Sequence, residues 1–277
     1  MPATSGQTTV ETLSADDLAG FLELAAAEGW VATRRELDFL LAAFPAGCFA
    51  AREDGRGACA YVTALKHGQS GWIGNLLVAP DRRGQGVGEQ LFTKALAALY
   101  GAGATTCWLT ASAMGKRLYE KFGFAGIGVI QRWVGLGAGS GWFEGDGLFM
   151  ADMIGLDRYG WGDRREALLR QCLAGGRHLA DSDGFLVVQN VGGSSQLGPF
   201  SARNAAAAER LFKRALETVP VGQNIILDVP AANRVAGELL RKWGCAICGE
   251  TELMRAGEQP ECHLETVYGL ATMGSCG

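Results

Sequence analysis

The chain has 277 residues, of which 48% are hydrophobic and 19% charged, and its formal net charge is −4. This length suits two domains, and the composition is that of a globular protein with sizeable cores. A mildly acidic chain without a cluster of lysine and arginine is not expected to bind nucleic acid, and no apolar run reaches the roughly 18 residues of a membrane span.

In chain order, the first half predicts a mixed α/β unit. The opening residues show neither the basic nor the apolar region of a signal peptide, so a cytoplasmic protein is expected. Apolar spacings and turn residues predict a strand at 8–13, helices that begin after Ser14 and Thr33, a hairpin at 48–68 with its turn at 54–57, a strand at 71–80, a helix at 88–103, a strand at 105–112, a helix at 114–123 and strand structure in the glycine-rich stretch 123–147. The order β-α-α-β-β-β-α-β-α-β is that of one mixed domain.

The second half repeats part of this order, with a helix at 204–216, a strand at 224–230 and a helix at 233–244. Three landmarks recur in sequence: Pro80, Leu118 and Gly123 correspond to Pro199, Leu239 and Gly244. We interpret the chain as two diverged copies of one fold, an N-terminal domain at 1–140 and a C-terminal domain at 150–277.

The segment 76–88, LLVAPDRRGQGVG, places a glycine-rich turn between the strand and the helix. The first amide groups of a helix have no partner within the helix, and the helix dipole adds about half a positive charge at that end. A phosphate fits such a site, and Arg83 adds a cation with two-pronged geometry. On glycines alone, the turn could equally open an ordinary helix.

Three kinds of phosphate loop compete for this turn. A nucleotide-hydrolase loop would end in Gly-Lys-Ser/Thr, but Glu89 and Gln90 follow Gly88 here. A dinucleotide-binding fingerprint would need a third glycine where Glu89 stands. The remaining pattern, Leu-Leu-Val-x-Pro-x-x-Arg-x-x-Gly-x-Gly, resembles the cofactor motif of the GNAT acetyltransferase superfamily, which binds the pyrophosphate of acetyl-CoA.

This resemblance implies two tandem GNAT-like mixed α/β sheets flanked by helices, with a divergent second copy. It also implies which residues contact acetyl-CoA, the only cofactor expected: Leu76, Leu77, Val78, Arg83, Gly84, Gln85, Gly86, Val87 and Gly88. The stretch 156–164, LDRYGWGDR, resembles the opening of the second half in a two-domain bacterial GNAT subgroup.

A second motif lies on the short helix. The segment 118–124, LYEKFGF, is similar to the family's Leu-Tyr-x-x-x-Gly-Phe, and the resemblance implies that Tyr119 protonates the departing thiolate. Taken alone, Tyr119 could be an amphipathic core residue. The sequence departs from the family upstream, where Ser112 replaces an asparagine and Gly115 an alanine; Ser112 is still expected to donate a hydrogen bond to the pantetheine arm.

The second copy lacks both features. Leu240 stands where the tyrosine is expected, and no glycine-rich turn follows Pro199, so the C-terminal domain is predicted to be catalytically silent. The cysteines of the whole chain, eight in number, are too irregularly spaced for a disulfide framework. Cys245-x-x-Cys248 with Cys262 and His263 invites a zinc site, but adjacent ligands would not reach one tetrahedral centre, and no metal is predicted.

The function that this resemblance implies is direct transfer of the acetyl group of acetyl-CoA to an amine of a small molecule or peptide. A sensor that binds acetyl-CoA without turnover and an enzyme that uses a longer acyl-CoA are the alternatives. The sequence singles out no base for the amine: Asn75 is the polar residue of the strand before the turn, and no pattern supports Glu28, Glu53 or His67. Neither the acceptor nor the oligomeric state is readable.

Overall fold

The computed structural model describes residues 8–53, 57–140 and 150–277. The first half contains β1 (Thr8–Thr12), α1 (Leu18–Ala27), α2 (Arg34–Ala43), β2 (Phe49–Glu53), β3 (Ala58–Lys66), β4 (Ser70–Val78), α3 (Val87–Gly101), β5 (Thr106–Ala111), α4 (Lys116–Lys121) and β6 (Ala125–Leu136). Every element predicted for this half is present in the predicted order. Most of the turn predicted at 54–57, and residues 141–147 of the stretch predicted as strand structure, lie outside the described residues.

The second half contains α5 (Met150–Trp161), α6 (Glu166–Gly175), β7 (Gly176–Asp181), β8 (Gly184–Val191), β9 (Ser194–Ala202), α7 (Ala205–Thr218), β10 (Asn224–Pro230), α8 (Arg234–Lys242), β11 (Ala246–Gly257) and β12 (Val267–Gly269). The repeat is confirmed: β4 and β9 have 9 residues each, and β6 and β11 have 12 each. Gly123 and Gly244 end the equivalent helices with φ of 80° and 77°.

One landmark of the repeat was wrong. When β4 and β9 are aligned end to end, Pro199 lies inside β9 at the position equivalent to Asn75. Pro80, in contrast, follows the end of β4. Only Arg203 and Asn204 separate β9 from α7, whereas residues 79–86 separate β4 from α3. The second copy has therefore lost the whole turn and not only its glycines.

All the described strands form one sheet, in the order β1-β2-β3-β4-β5-β11-β6-β10-β9-β8-β7, with β12 paired to β9. The mixed α/β class is confirmed, and the two sheets of the tandem copies join edge to edge. The joint is a strand exchange: β11 of the second half pairs with β5 of the first, and β6 of the first half pairs with β10 of the second. Among the strands that the structure describes, β4–β5 and β9–β10 are the parallel pairs.

Polar and aromatic contacts fix the halves to each other. Asp163 accepts hydrogen bonds from the amide and hydroxyl of Ser70 at 2.8 and 2.6 Å. Trp161 stands edge-on to Trp72 and Trp108, each at a centroid distance of 6.0 Å. The stretch that resembles the opening of a second half thus packs against the base of β4 and β5. No helix among the described residues is long and apolar enough to cross a membrane.

Candidate active site

The turn between β4 and α3 presents a row of main-chain donors. Gly84 and Gly86 take φ values of 76° and 80°, which favour glycine, and Gly86 is the N-cap of α3. No backbone amide at residues 84–88 donates a hydrogen bond to a described residue. A Cβ at either glycine would meet no atom within 4 Å, so the space outside these amides is open. Unpaired amides around open space at a helix N-terminus are the donor set that a phosphate needs.

Arg83 is partly engaged by the protein itself. Its Nε donates to the carbonyl of Val78 at 3.0 Å, and its Nη2 lies 2.6 Å from Oε1 of Glu28, just after α1. The guanidinium thus sits at the end of β4 beside the open turn, with its charge balanced by Glu28. Its contact with a pyrophosphate stays a prediction, which the neighbouring amides support more directly.

The strand before the turn carries a bulge. Asn75 has a φ of 55°, rare outside glycine, and its Nδ2 donates to Oγ1 of Thr63 at 3.0 Å. Asn75 and Leu76 together oppose one residue of β3, Val62. Such a bulge releases main-chain groups from regular pairing and redirects them.

A cleft opens directly beyond the paired part of β4 and β5. The two strands pair only from Ser70 to Trp72, opposite 106–108, and then diverge. The bulge at Asn75 and Leu76 lies on the part of β4 that no longer pairs with β5. A main-chain donor in that position could polarise a carbonyl held in the cleft.

Tyr119 on α4 lies at the far side of this cleft. Its ring packs 4.9 Å from that of Phe92 and 6.4 Å from that of Phe124, and burial raises the pKa of its phenol to about 12. The group is therefore protonated at neutral pH and carries a proton that it can donate. A Cβ at Gly115 would lie 3.0 Å from the Tyr119 ring, so an alanine here would require the ring to shift slightly.

A pocket of about 430 Å³ extends from the cleft and is lined by both halves. Of the predicted site residues, Leu76, Ser112 and Tyr119 line it. Ser112 accepts a hydrogen bond from the amide of Gly115 at 3.2 Å, and its role toward a cofactor stays a prediction. Leu77 instead is buried in the core. The pocket thus reaches β4 at Leu76, and the 84–88 turn follows the end of the same strand.

Sequence reasoning missed Glu36 and residues 272–276, which also line the pocket. The three residues considered as a base for the amine do not line the pocket. Glu28 pairs with Arg83, Glu53 pairs with Arg82, and burial lowers the pKa of His67 to about 3. The capping sequence Thr33-x-x-Glu36 was visible in the chain, but it indicates a helix start and nothing about a pocket.

The second copy has an equivalent cleft between β9 and β10, and the chain itself fills it. After two pairs, Ile225 with Ser195 and Ile226 with Gln196, the strands diverge. β12 pairs with β9 inside the gap, and the amide of Leu270 donates to the carbonyl of Asp228 at 2.8 Å. The space that corresponds to the β4–β5 cleft is therefore occupied.

The helix start beside this second cleft also has its own cap. The side chain of Asn204 accepts the amide of Ala207 at 2.9 Å at the start of α7. Asn204 thus pairs with an amide at the start of α7, whereas the amides at the start of α3 in the first copy remain unpaired with any described residue.

The same segment continues into the first cleft. The Thr110 hydroxyl donates to the carbonyl of Met273 at 2.6 Å, and a Cβ at Gly74 would meet Gly274 and Ser275. A Cβ at Gly198, the equivalent of Gly74, would meet the carbonyl of Leu270. Both glycines thus allow the segment to pass close to the sheet, and it forms one wall of the pocket.

Among the described residues, no group of three or more His, Cys, Asp or Glu side chains is placed to hold a metal ion. Cys245 is buried and Cys248 is exposed. The two thiols of the CxxC pattern therefore lie in different environments.

Comparisons with known proteins agree with this geometry. Two models of an acetyltransferase (GNAT) domain match the chain, at residues 45–125 and 153–269. The chain is 26% identical over 216 residues to holothin acyltransferase from Pseudoalteromonas sp. (strain SANK 73390). The aligned region covers 73% of this chain and 72% of that protein.

Solved structures have the same architecture. The chain is similar to a proposed acetyltransferase from Pyrococcus horikoshii, with a TM-score of 0.84 at 21% identity over 99% of this chain and 98% of that one. A tandem GNAT protein from the clavulanic acid biosynthesis pathway matches 92% of this chain and 99% of its own length, with a TM-score of 0.59 at 15% identity.

Proposed function

Since two GNAT domain models together match most of its length, the chain belongs to the GNAT acetyltransferase superfamily, and from that premise we propose that it transfers the acetyl group of acetyl-CoA to an amine. The N-terminal domain, 1–140, would hold the only cofactor site. The C-terminal domain, 150–277, would be catalytically silent and would complete the acceptor pocket. A relative named as an acyltransferase supports acyl transfer in general.

One observation carries this proposal: an open row of main-chain donors lies at one end of β4, and a protonated phenol lies beside the cleft at the strand's bulge. The amides at 84–88 would bind the pyrophosphate, and the free edge of β4 beyond its paired residues would hold the pantetheine amides by strand-like pairing. The bulge at Asn75 would direct an amide toward the thioester carbonyl. Acetyl-CoA therefore fits the residues present.

Tyr119 would act as the general acid. The amine attacks the thioester carbon directly, and the carbon–sulfur bond breaks as the amide bond forms. A departing thiolate has a pKa near 8.5, so it leaves faster when a proton is supplied. A phenol with a pKa of about 12 remains protonated throughout the working range, so the proton is present when the thiolate departs.

We expect one molecule of acetyl-CoA to bind per chain. The β4–β5 cleft is open at its turn, whereas β12 fills the β9–β10 cleft and Asn204 caps α7. Isothermal titration of the purified chain with acetyl-CoA should give a stoichiometry near one. A stoichiometry of two would contradict the assignment of a silent second copy.

Turnover tests the proposal itself. The chain is incubated with acetyl-CoA and a panel of amines, and the free thiol of CoA is followed together with the mass of the acylated product. Thiol release that depends on the amine supports the proposed transferase activity. Faster release from a longer acyl-CoA than from acetyl-CoA would identify the longer acyl-CoA as the acyl donor. Binding of acetyl-CoA without transfer to any acceptor would favour a sensor.

A further inference from the structure

Glu36 is a carboxylate whose position on the pocket wall is tightly fixed. It is the third residue of α2, and the Thr33 hydroxyl accepts the Glu36 amide at 3.2 Å. The hydroxyl of Ser275 donates to the carboxylate, and the amide of Thr33 and the hydroxyl of Thr272 favour its charged form. Thr33 and Glu36 have the residue types and spacing of a capping box, and Thr272 and Ser275 belong to the segment contributed by the C-terminal half.

No cation of the described residues pairs with this carboxylate. Three other charged side chains line the pocket. Arg132 is bound through two hydrogen bonds to the fully buried Asp228, Arg35 donates to the carbonyl of Gln171, and Glu250 accepts from the amide of Gln131. Glu36 therefore presents a carboxyl group without a cationic partner to the pocket, and its charged form is costly there unless a ligand supplies the opposite charge.

We propose that Glu36 is the acceptor-binding residue of this site: its carboxylate pairs with the protonated amino group of a cationic alkylamine acceptor and then takes a proton from it. Thr272 and Ser275 are positioning residues that hold the carboxylate. The acceptor class is therefore an aliphatic amine that is charged at neutral pH. This inference rests on the proposed acyl transfer and narrows its acceptor.

The protons balance in this scheme. An alkylammonium carries three N–H protons and the product amide keeps one. Glu36 takes the first released proton, which makes the nitrogen lone pair available for attack on the thioester carbon. The second leaves as the carbon–nitrogen bond forms, and one proton is delivered to the departing thiolate through Tyr119. Glu36 then returns its proton to solvent, so the net products are amide, CoA thiol and one proton.

Local groups set the pH range of this step. Burial raises the pKa of Glu36 above its usual value, while hydrogen bonds from Ser275, Thr33 and Thr272 offset part of the rise. The thiols that face it, Cys172 on α6 and Cys276, have pKa values raised by burial and stay neutral. Because the ionised carboxylate is the active form, kcat/KM should fall as pH decreases through the Glu36 pKa, above the ordinary 4.5 of glutamate.

The test is Glu36→Gln, assayed with two isomeric acceptors, 2-phenylethylamine and 4-ethylaniline. The first is charged at pH 7 and the second is neutral. Glutamine also supports a capping box, so the variant removes the charge and keeps the helix start. We expect kcat/KM for the alkylamine to fall by about 100-fold or more, the range of general-base catalysis, with a far smaller change for the aniline and loss of the acidic limb of the pH profile.

Two further variants separate charge from structure. Asp38→Asn is the matched control, because Asp38 lies on the same helix and pairs on the surface with Arg34 at 2.9 Å; it should leave both rates unchanged. Ser275→Ala removes a hydrogen bond that lowers the Glu36 pKa, so the acidic limb should move to higher pH.

The inference is overturned if Glu36→Gln behaves like Asp38→Asn, or if the wild type acylates only uncharged acceptors. Failure of the wild type to acylate any acceptor would instead count against the proposed transfer reaction. Binding of acetyl-CoA by Glu36→Gln, measured separately, should match that of the wild type.

Discussion

Replacement of Tyr119 by phenylalanine should lower kcat for acyl transfer by about 100-fold or more, the contribution expected of a positioned general acid. The phenylalanine ring keeps the packing on Phe92 and Phe124, so the fold and the KM for acetyl-CoA should change little. The measurement is steady-state kinetics of thiol release, with a thermal melt of each protein.

Tyr61→Phe is the control for this variant. Tyr61 is also a buried phenol whose pKa burial raises to about 12, but its hydroxyl donates to the carbonyl of Ala58 at 3.3 Å and does not line the pocket. Its loss should leave kcat unchanged. If the two variants have equal kcat values, Tyr119 is a packing residue and the proposed acid role is wrong.

The second large effect is expected at the turn. Gly86→Ala should weaken acetyl-CoA binding at least about tenfold, which corresponds to about 1.4 kcal/mol. The added methyl group would project into the open space outside the amides at 84–88, where the pyrophosphate is proposed to lie. Titration calorimetry with acetyl-CoA measures the loss.

Gly103→Ala supplies a control for backbone strain. Gly103 has a φ of 81°, against 80° for Gly86, and a Cβ at either position would meet no atom within 4 Å. Both alanines should therefore cost a similar free energy of unfolding, on the order of 1 kcal/mol for a left-handed residue. An equal loss of acetyl-CoA affinity in both variants would mean that strain, and not the phosphate site, causes the effect.

Local chemistry explains how much of the fold the sequence predicts. The caps at Thr33 and Asn204, the apolar stripes of the helices and the glycines that end α4 and α8 all act within a few residues. The turn after β4 is likewise a local pattern, and its open amides are present where the motif places them. The repeat follows from the same local signals in each half.

Contacts between distant segments explain what the sequence does not predict. The exchange of β6 and β11 depends on which distant strand each one pairs with, and the local pattern of a strand does not identify its partner. The entry of residues 267–276 into both clefts requires Gly74 and Gly198 to lie beside it in space. Glu36 becomes a candidate only when this segment places Ser275 against it.

Arg83 illustrates a partial prediction. Its position at the strand end is as expected, but the salt bridge with Glu28 at 2.6 Å links two elements that are far apart in sequence. Phosphate binding at this arginine would therefore compete with a carboxylate that the motif alone does not reveal. The main-chain amides have no such competitor among the described residues.

A crystal structure with bound acetyl-CoA tests the central claim most directly. The account predicts one molecule per chain, with its pyrophosphate on the amides of residues 84–88, its pantetheine arm along β4 and its sulfur within hydrogen-bond distance of the Tyr119 hydroxyl. The β9–β10 cleft should still contain β12. A cofactor bound in that second cleft, or a thioester remote from Tyr119, would contradict the account.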